Sequence, residues 1–321
     1  YLKHYRLAII GTQEAAHQPM MSRDGNVILA FNGEIYNYRE IATWMGQPQL
    51  ADDGDTRVLV EFLAQHGIAR LDMLNGMFAI AVYFRTTRDF YLIRDRFGVK
   101  PLYYCEVDNG LYFASEIKSL RGLSPTSLNS ERARNYLDYG IYPSGKYTFF
   151  EGIHQVKAGT WLHRRDDTRN EHRYYDLRSE CGQLLEEKSD VDEYESLLED
   201  AIRLRLRSDV PISMHYSGGT DSTALLLKTK EVLGWDFPIA AFSMAFDDPA
   251  FDESRLAESY CAQIGVQHHK VTLSAAEVPA LAAQLHYFED EPYGGIPTIA
   301  YYKLNMAERK KGYIVSIEGQ G

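Results

Sequence analysis

Cysteine is scarce in this sequence. The 321-residue chain holds three, Cys105, Cys181 and Cys261, far apart and with no C-x-x-C pair. That excludes a disulfide framework and a thiolate zinc site, and it fits a reducing, cytoplasmic setting. Apolar runs of membrane-spanning length are missing; the longest, such as Met77–Phe84, are strand-sized. Basic residues are in deficit, and a formal net charge of −11 argues against a nucleic-acid binder, which presents a basic face. A single nucleotide, needing only a local positive site, is still allowed. No G-x-x-x-x-G-K-[ST] occurs, so a Walker loop is excluded, and no internal repeat or low-complexity tract is visible. No leader peptide is visible either. The sequence opens at Tyr1 without Met and closes on Gly319-Gln-Gly321, and both ends read as cuts in a longer protein.

What is present suffices for two domains, each with its own core. Hydrophobic residues at 45% and charged residues at 25% are globular values, and 23 Tyr point to large packed surfaces. Residues 1–120 read as strands, tight turns and two helices. Arg6–Ile10, Val27–Phe31, Gly76–Phe84, Phe90–Arg94, Leu102–Cys105 and Leu111–Ala114 are strand-like. The last four read as consecutive antiparallel strands, with a hairpin at Asp108-Asn-Gly110. Asn37–Met45 and Thr56–Gln65 read as helices, the second with Val58, Leu59, Phe62 and Leu63 on one face. Residues 121–178 are loop-rich around Pro125, Pro143, Gly145 and Gly159. A strand-like Thr160–His163 closes on Arg173–Asp176, and Ser179–Asp190 reads as a polar linker.

From Tyr194 the pattern changes. An amphipathic helix to Arg207, with Leu197, Leu198, Ile202 and Leu206 on one face, leads into Ile212–Tyr216 and a helix over 222–233. Ile239–Ala245, a helix over 252–264, Gln267–Leu273, helices over 277–288 and 297–311 and Tyr313–Ser316 follow. Without β-α-β alternation the first half is a layered α+β fold; with it the second is an α/β doubly wound parallel sheet.

Four features could carry chemistry. Ser217-Gly-Gly-Thr-Asp-Ser222 lies between a strand and a helix. Gly218 and Gly219 allow a sharp turn and close ligand approach, and hydroxyls and helix-start N–H groups converge on an anion. Asp221 would repel phosphate unless Mg²⁺ sits between them; the alternative is an ordinary strand-to-helix turn with capping Ser and Asp. In Phe31-Asn-Gly-Glu-Ile-Tyr-Asn37, which reads as leaving a strand to turn, Asn32 and Gly33 form either an oxyanion hole or a plain turn dipeptide. Arg6 is a carboxylate clamp or a strand-edge charge. Asp55 anchors an ammonium group or caps a helix.

The chain resembles the glutamine-dependent asparagine synthetase family, in which an N-terminal-nucleophile glutaminase sandwich precedes an ATP-pyrophosphatase synthetase domain. The resemblance rests on Arg6–Ile10, Asn32–Asn37, Asp55-Thr56, Leu74–Ala79, Arg94–Tyr104 and Phe113–Lys118. In the second half it rests on Ser208–Pro211, Ser217–Ser222, Phe251–Ser254, His268-His269 and Ser316–Gly319. It implies a glutaminase domain over 1–178 and a synthetase domain over 190–321. Glutamine would be held by Arg6 on its α-carboxylate, by Asn32 and Gly33 in the oxyanion hole, and by Glu34 and Asp55 near its α-amine. A substrate carboxylate, of aspartate or a related acid, would attack ATP, and ammonia carried through an internal tunnel would displace AMP. Ser217, Gly218, Gly219, Thr220, Asp221 and Ser222 would hold pyrophosphate, with Asp221 on Mg²⁺. Phe242, Ser243 and Met244 would flank adenine, and Glu318 would be the base for ammonia attack. Neither nucleic acid nor membrane is expected as a partner, and a homodimer is left open.

The sequence also departs from the family pattern. The family's N-terminal nucleophilic Cys and an Arg-Gly-Pro segment are expected ahead of Tyr1. A metal-binding Asp-Glu pair and an adenylation lysine are expected after Gly321. Thr220 replaces the usual Leu or Ile, and Ile317 the usual Gly, which hints at another carboxylate acceptor beside the adenylate. The runner-up is a β-lactam-synthetase-like former of intramolecular amides with an inert first domain, against which Glu318 stands. A non-catalytic sensor would have lost Asp221 or the two glycines.

Overall fold

The computed structural model describes residues 1–11, 16–123, 126–142, 145–184, 190–246, 252 and 254–319. Pro125, Pro143, Phe251, Glu253 and the Gln320-Gly321 end of the glycine turn lie outside these. The chain divides into two compact units, Tyr1–Lys188 and Ser189–Gly321.

The first unit runs β1 (Met20–Met21), β2 (Val27–Ile35), α1 (Tyr38–Trp44), α2 (Asp55–His66), β3 (Gly76–Phe84), β4 (Asp89–Arg94), β5 (Tyr103–Val107) and β6 (Gly110–Ala114). It continues with α3 (Ser130–Tyr139), β7 (Ile153–Gln155), β8 (Thr160–Arg165), β9 (Thr168–Arg173) and α4 (Leu177–Leu184). A six-stranded sheet in the order β1-β2-β3-β4-β8-β9 packs on a three-stranded sheet, β6-β5-β7. The pairings in both sheets are antiparallel. Strand side chains alternate between faces. On one face of the large sheet, Val27, Leu29, Phe31, Phe78, Ile80 and Val82 bury against Val58, Leu59, Phe62 and Leu63 of α2. The reverse face carries small residues, Ala30, Ala79 and Ala81, which meet Leu102, Tyr104 and Val156 of the small-sheet layer. Each large apolar side chain fully buried there contributes roughly 1.5–3 kcal/mol.

Several expectations need correction. Arg6–Ile10 joins no ladder. Asn32 and Gly33 do not leave the strand: β2 continues to Ile35, with Gly33 opposite Phe78. Gly33 has φ 142°, and a Cβ there would lie 2.0 Å from the Met77 carbonyl oxygen, so only glycine lets the backbones approach this closely. The hairpin at Asp108-Asn109 holds, both residues at positive φ. β4 and β5, however, belong to different sheets. The loop-rich stretch contains α3, capped by Asn129 Oδ1 accepting from Arg132 N at 3.2 Å and closed by Gly140 at φ 65°. The segment read as a linker begins inside α4, and β9 is exposed along its whole length.

The second unit runs α5 (Val191–Arg205), β10 (Ile212–His215), α6 (Thr220–Leu233), β11 (Ile239–Phe246), α7 (Ser254–Gln263), β12 (Gln267–Leu273), α8 (Val278–Glu289), α9 (Ile296–Lys310) and β13 (Val315–Ile317). Its four strands are parallel in the order β12-β11-β10-β13. Met214, Leu226, Ala241, Ala257 and Cys261 fill one face, and Ala240, Phe242 and Leu304 the other. Helices therefore cover both faces, as a doubly wound sheet requires. The order reverses at β10 and β13, so their carboxyl ends diverge into a crevice. Leu197 departs from the predicted apolar face: it is 63% exposed, while Leu198, Ile202 and Leu206 pack inward. Ile317 packs with Ile202, Leu206 and Ile212 and lines neither strand-end cavity among the described residues, rather than facing one as expected. Among the described residues, no helix is long and apolar enough to cross a membrane.

Gly33→Ala is expected to lower the unfolding free energy by about 3 kcal/mol or more, through strain at positive φ and the clash with Met77. Gly122→Ala, with open space around it, should stay within about 0.5 kcal/mol. Urea midpoints compare the two; equal midpoints would refute the close-approach argument.

Candidate active sites

In the first unit, alternation along β2 puts Asn32 and Glu34 on the face of Ala30, the side lined by small residues. The three alanines leave space that larger side chains would fill, and a cavity of about 660 Å³ opens there. It brings together Arg6, Asn32, Gly33, Glu34 and Asp55, which are 49 positions apart in sequence from first to last (55 − 6). Arg6 is steadied by donating from Nη2 to the Ile10 carbonyl at 2.6 Å. The Asn32 amide donates to Ser115 Oγ at 3.3 Å. Asp55 is the first residue of α2, after Gly54 rather than as the cap itself. Its carboxylate reaches across to accept the Ile35 N–H at 3.1 Å and the Thr56 hydroxyl at 3.3 Å.

Both acids are buried. Desolvation pushes Asp55 up to about 6, against backbone N–H bonds and Arg6, which pull it down. Desolvation and then repulsion from Asp55 push Glu34 up to about 7, against Lys100. Glu34 Oε1 is buried with no hydrogen-bond partner among the described residues. A desolvated acid pair with an orphaned oxygen suits a cationic amine, and an arginine in the same cavity suits a carboxylate.

Lys100 and Ser115 were not singled out from sequence. Lys100 owes its place to the buried Arg94-Asp95 pair. Asp95 accepts the backbone N–H groups of Phe78, Phe97, Val99 and Lys100 at 2.9–3.2 Å. Arg94 donates to the Gly98, Lys100 and Val156 carbonyls at 2.6–2.8 Å. The Arg94–Lys100 run thus builds a rigid loop, whose purpose its spacing alone did not reveal. None of the three cysteines lines this cavity.

In the second unit, a cavity of about 450 Å³ opens at the carboxyl ends of β10, β11 and β13. Its lining combines polar Ser217, Gly219, Thr220, Asp221, Ser222 and Glu318 with apolar Phe242, Met244, Phe246, Ile296 and Leu304. The turn is pinned by Ser217 Oγ, which accepts from Gly219 N at 3.2 Å and lies 3.1 Å from Ser222 Oγ. Gly218 does not line the cavity. It stands at φ 79°, where a Cβ would be 3.0 Å from Ala257 N, and so lets α7 pack against the turn. α6 begins at Thr220 with no side-chain cap, leaving its first N–H groups without intrahelical acceptors.

Ser243 departs from the expected adenine contact. It is 2% exposed, donates to the Tyr216 carbonyl and lies 2.8 Å from His268 Nε2, away from the cavity. No group of three or more His, Cys, Asp or Glu converges on a metal among the described residues. Asp221 alone fits Mg²⁺ only where phosphates and water complete the shell, which is how Mg²⁺ usually binds nucleotides.

The first unit thus holds a desolvated acid pair and an arginine in an antiparallel sandwich, and the second a glycine turn at the switch point of a parallel sheet. The chain belongs to the asparagine synthase family: residues 1–175 match the glutamine amidotransferase domain and residues 193–321 the asparagine synthase domain. It is 28% identical to a putative glutamine-hydrolysing asparagine synthetase of Methanocaldococcus jannaschii, over 100% of this chain and 65% of that one. It is 28% identical to asparagine synthetase 1 of Bacillus subtilis, over 98% and 50%, and 29% identical to amidase chry2 of Gibberella zeae, over 100% and 50%. The chain therefore spans half to two thirds of the length of these relatives.

Glu34 sets a pH-dependent stability. Its folded pKa lies above its ordinary value, so the native state retains a proton that the unfolded chain releases, and stability falls as pH rises from about 4.5 to about 7. Glu34→Gln should gain on the order of 2 kcal/mol over the unmodified protein at pH 8 and little at pH 4. Urea unfolding at both pH values measures the gap; a gap independent of pH would refute the shifted carboxyl.

Proposed function

We propose that this chain is the glutaminase and ATP-binding part of an amidotransferase that activates a carboxylate as its adenylate and converts it to an amide. The observation that carries the reading is the cavity at the β10–β13 switch point, where the Ser217–Ser222 turn and Glu318 line one space. Its polar lining suits the phosphates of ATP and its apolar lining the adenine. Mg²⁺ held by Asp221 would offset phosphate charge. The substrate carboxylate oxygen forms a bond to the α-phosphorus as the bond to pyrophosphate breaks. Ammonia then attacks the acyl carbon, AMP leaves, and Glu318 accepts the proton lost by nitrogen.

In the first unit, Arg6 holds the glutamine α-carboxylate and Glu34 with Asp55 hold its ammonium group. Asn32 and the Gly33 N–H receive the developing oxyanion. The domain limits 1–178 and 190–321, the glutamine donor and the internal passage of ammonia belong to the same reading. The acceptor is aspartate or a related acid. The matched relatives include both asparagine synthetases and an amidase, so a pyrophosphate-release screen over candidate acids identifies it.

In the intact protein, Asp221→Asn should cut ATP- and acid-dependent pyrophosphate release by about 100-fold or more and leave glutamine hydrolysis intact. Formation of ADP and phosphate instead would sink the adenylation reading. Arg6→Ala should raise KM for glutamine about 10–100-fold without altering synthesis from free ammonia. An equal loss with ammonia would refute the glutamine assignment.

A further inference from the structure

Behind the Ser217 turn lies a chain of polar groups that neither the glycine loop nor the acid pair uses. Glu308 of α9 is 4% exposed, and Ser213 of β10 is fully buried. Glu308 Oε1 accepts from Ser213 Oγ at 2.7 Å and from Ser316 Oγ at 2.9 Å, and its Oε2 lies 3.0 Å from His215 Nε2. His215 Nδ1 stands 3.4 Å from Glu318 Oε2, within ion-pair reach but outside hydrogen-bond geometry, and has no hydrogen-bond partner among the described residues. One parallel-strand register, β10 with β13, aligns this string. Ser213 pairs with Ser316, and His215, two positions on, emerges on the same face at the strand end. His215 and Glu318 are shared by the nucleotide-shaped cavity and by a second one of about 400 Å³, lined also by Asn305, Arg309 and Tyr313.

A buried acid with an imidazole nitrogen 3.0 Å away is best compensated when that ring carries the positive charge. His215 is that ring, and its other nitrogen faces Glu318 at ion-pair distance. We propose that His215 is a positioning residue that acts as an imidazolium clamp, locked by Glu308 and holding Glu318 ionised and aimed between the two cavities. The arrangement uses the logic of an acid-oriented histidine, with the histidine orienting a second acid instead of a nucleophile. Burial lowers the His215 pKa, but the Glu308 and Glu318 carboxylates beside it outweigh that and raise it to about 9. The nearby His215 ring in turn lowers Glu318. The other titratable or charged groups around the pair are Tyr301 and Arg309 of α9, Tyr313, and Asp221 across the nucleotide cavity.

The inference rests on the reading of Glu318 as the amide-forming base, but its first test does not. In intact protein labelled with ¹⁵N-histidine, the His215 ring should stay protonated through pH 8, and Glu308→Gln should lower its titration midpoint by a unit or more. An ordinary midpoint near 6.5 in the unmodified protein, or a midpoint that Glu308→Gln leaves in place, overturns the clamp whether or not the protein makes amides. With a turned-over acid in hand, His215→Gln should slow ammonia-dependent amide formation about 10-fold and move the acid limb of its pH profile upward. An unmoved acid limb would overturn the positioning role, whereas the absence of pyrophosphate release from the unmodified protein would overturn only the ligase reading.

Discussion

A carboxylate taken out of water must be compensated by hydrogen bonds, by a cation, or by a shift toward its neutral form. This chain uses all three. Asp95 is compensated by four backbone N–H groups and becomes the organiser of the Arg94–Lys100 loop. Glu308 is compensated by two hydroxyls and an imidazole, and links β10, α9 and β13 into one unit. Glu34 and Asp55 are compensated by the third route, a raised pKa in each, and Glu34 Oε1 keeps no hydrogen-bond partner among the described residues.

Gly33 and Gly218 are each required where a Cβ would strike a neighbouring backbone, one between antiparallel strands and one between a turn and a helix. Neither presents a side chain to a ligand. What each does is bring chemistry-bearing neighbours, Asn32 and Glu34 in one unit and Ser217 and Asp221 in the other, to the wall of a cavity.

Much of this was legible in the chain. The Asn37–Met45 and Thr56–Gln65 helices, the β-α-β order after Tyr194 and the Gln267–Leu273 strand all follow from periodicity and turn chemistry, and the structure has them within a residue or two. The misreadings have separate causes. β9 is exposed throughout and so lacks the apolar rhythm that sequence reading depends on, while α3 has a half-buried face but buries no side chain fully. Asn129 and Gly140 mark the ends of α3. Asn32-Gly33 looked like a turn because the dipeptide usually is one; a cross-strand approach to Met77 overrode that preference. Ser243 and Ile317 were read by position in a motif, but the pleat turns them away from the cavity.

Local order, the two fold classes and the residues at both sites were set by the sequence itself, because hydrophobic period, glycine placement and helix ends act over a few residues. The tertiary structure alone decided which groups face one another. Arg6 and Asp55 meet across 49 positions (55 − 6). Lys100 reaches Glu34 by way of a loop built on Asp95, and His215 finds Glu308 and Glu318 because two parallel strands pair in one register. Burial and charge pairing depend on distances in space, and no spacing along the chain encodes them.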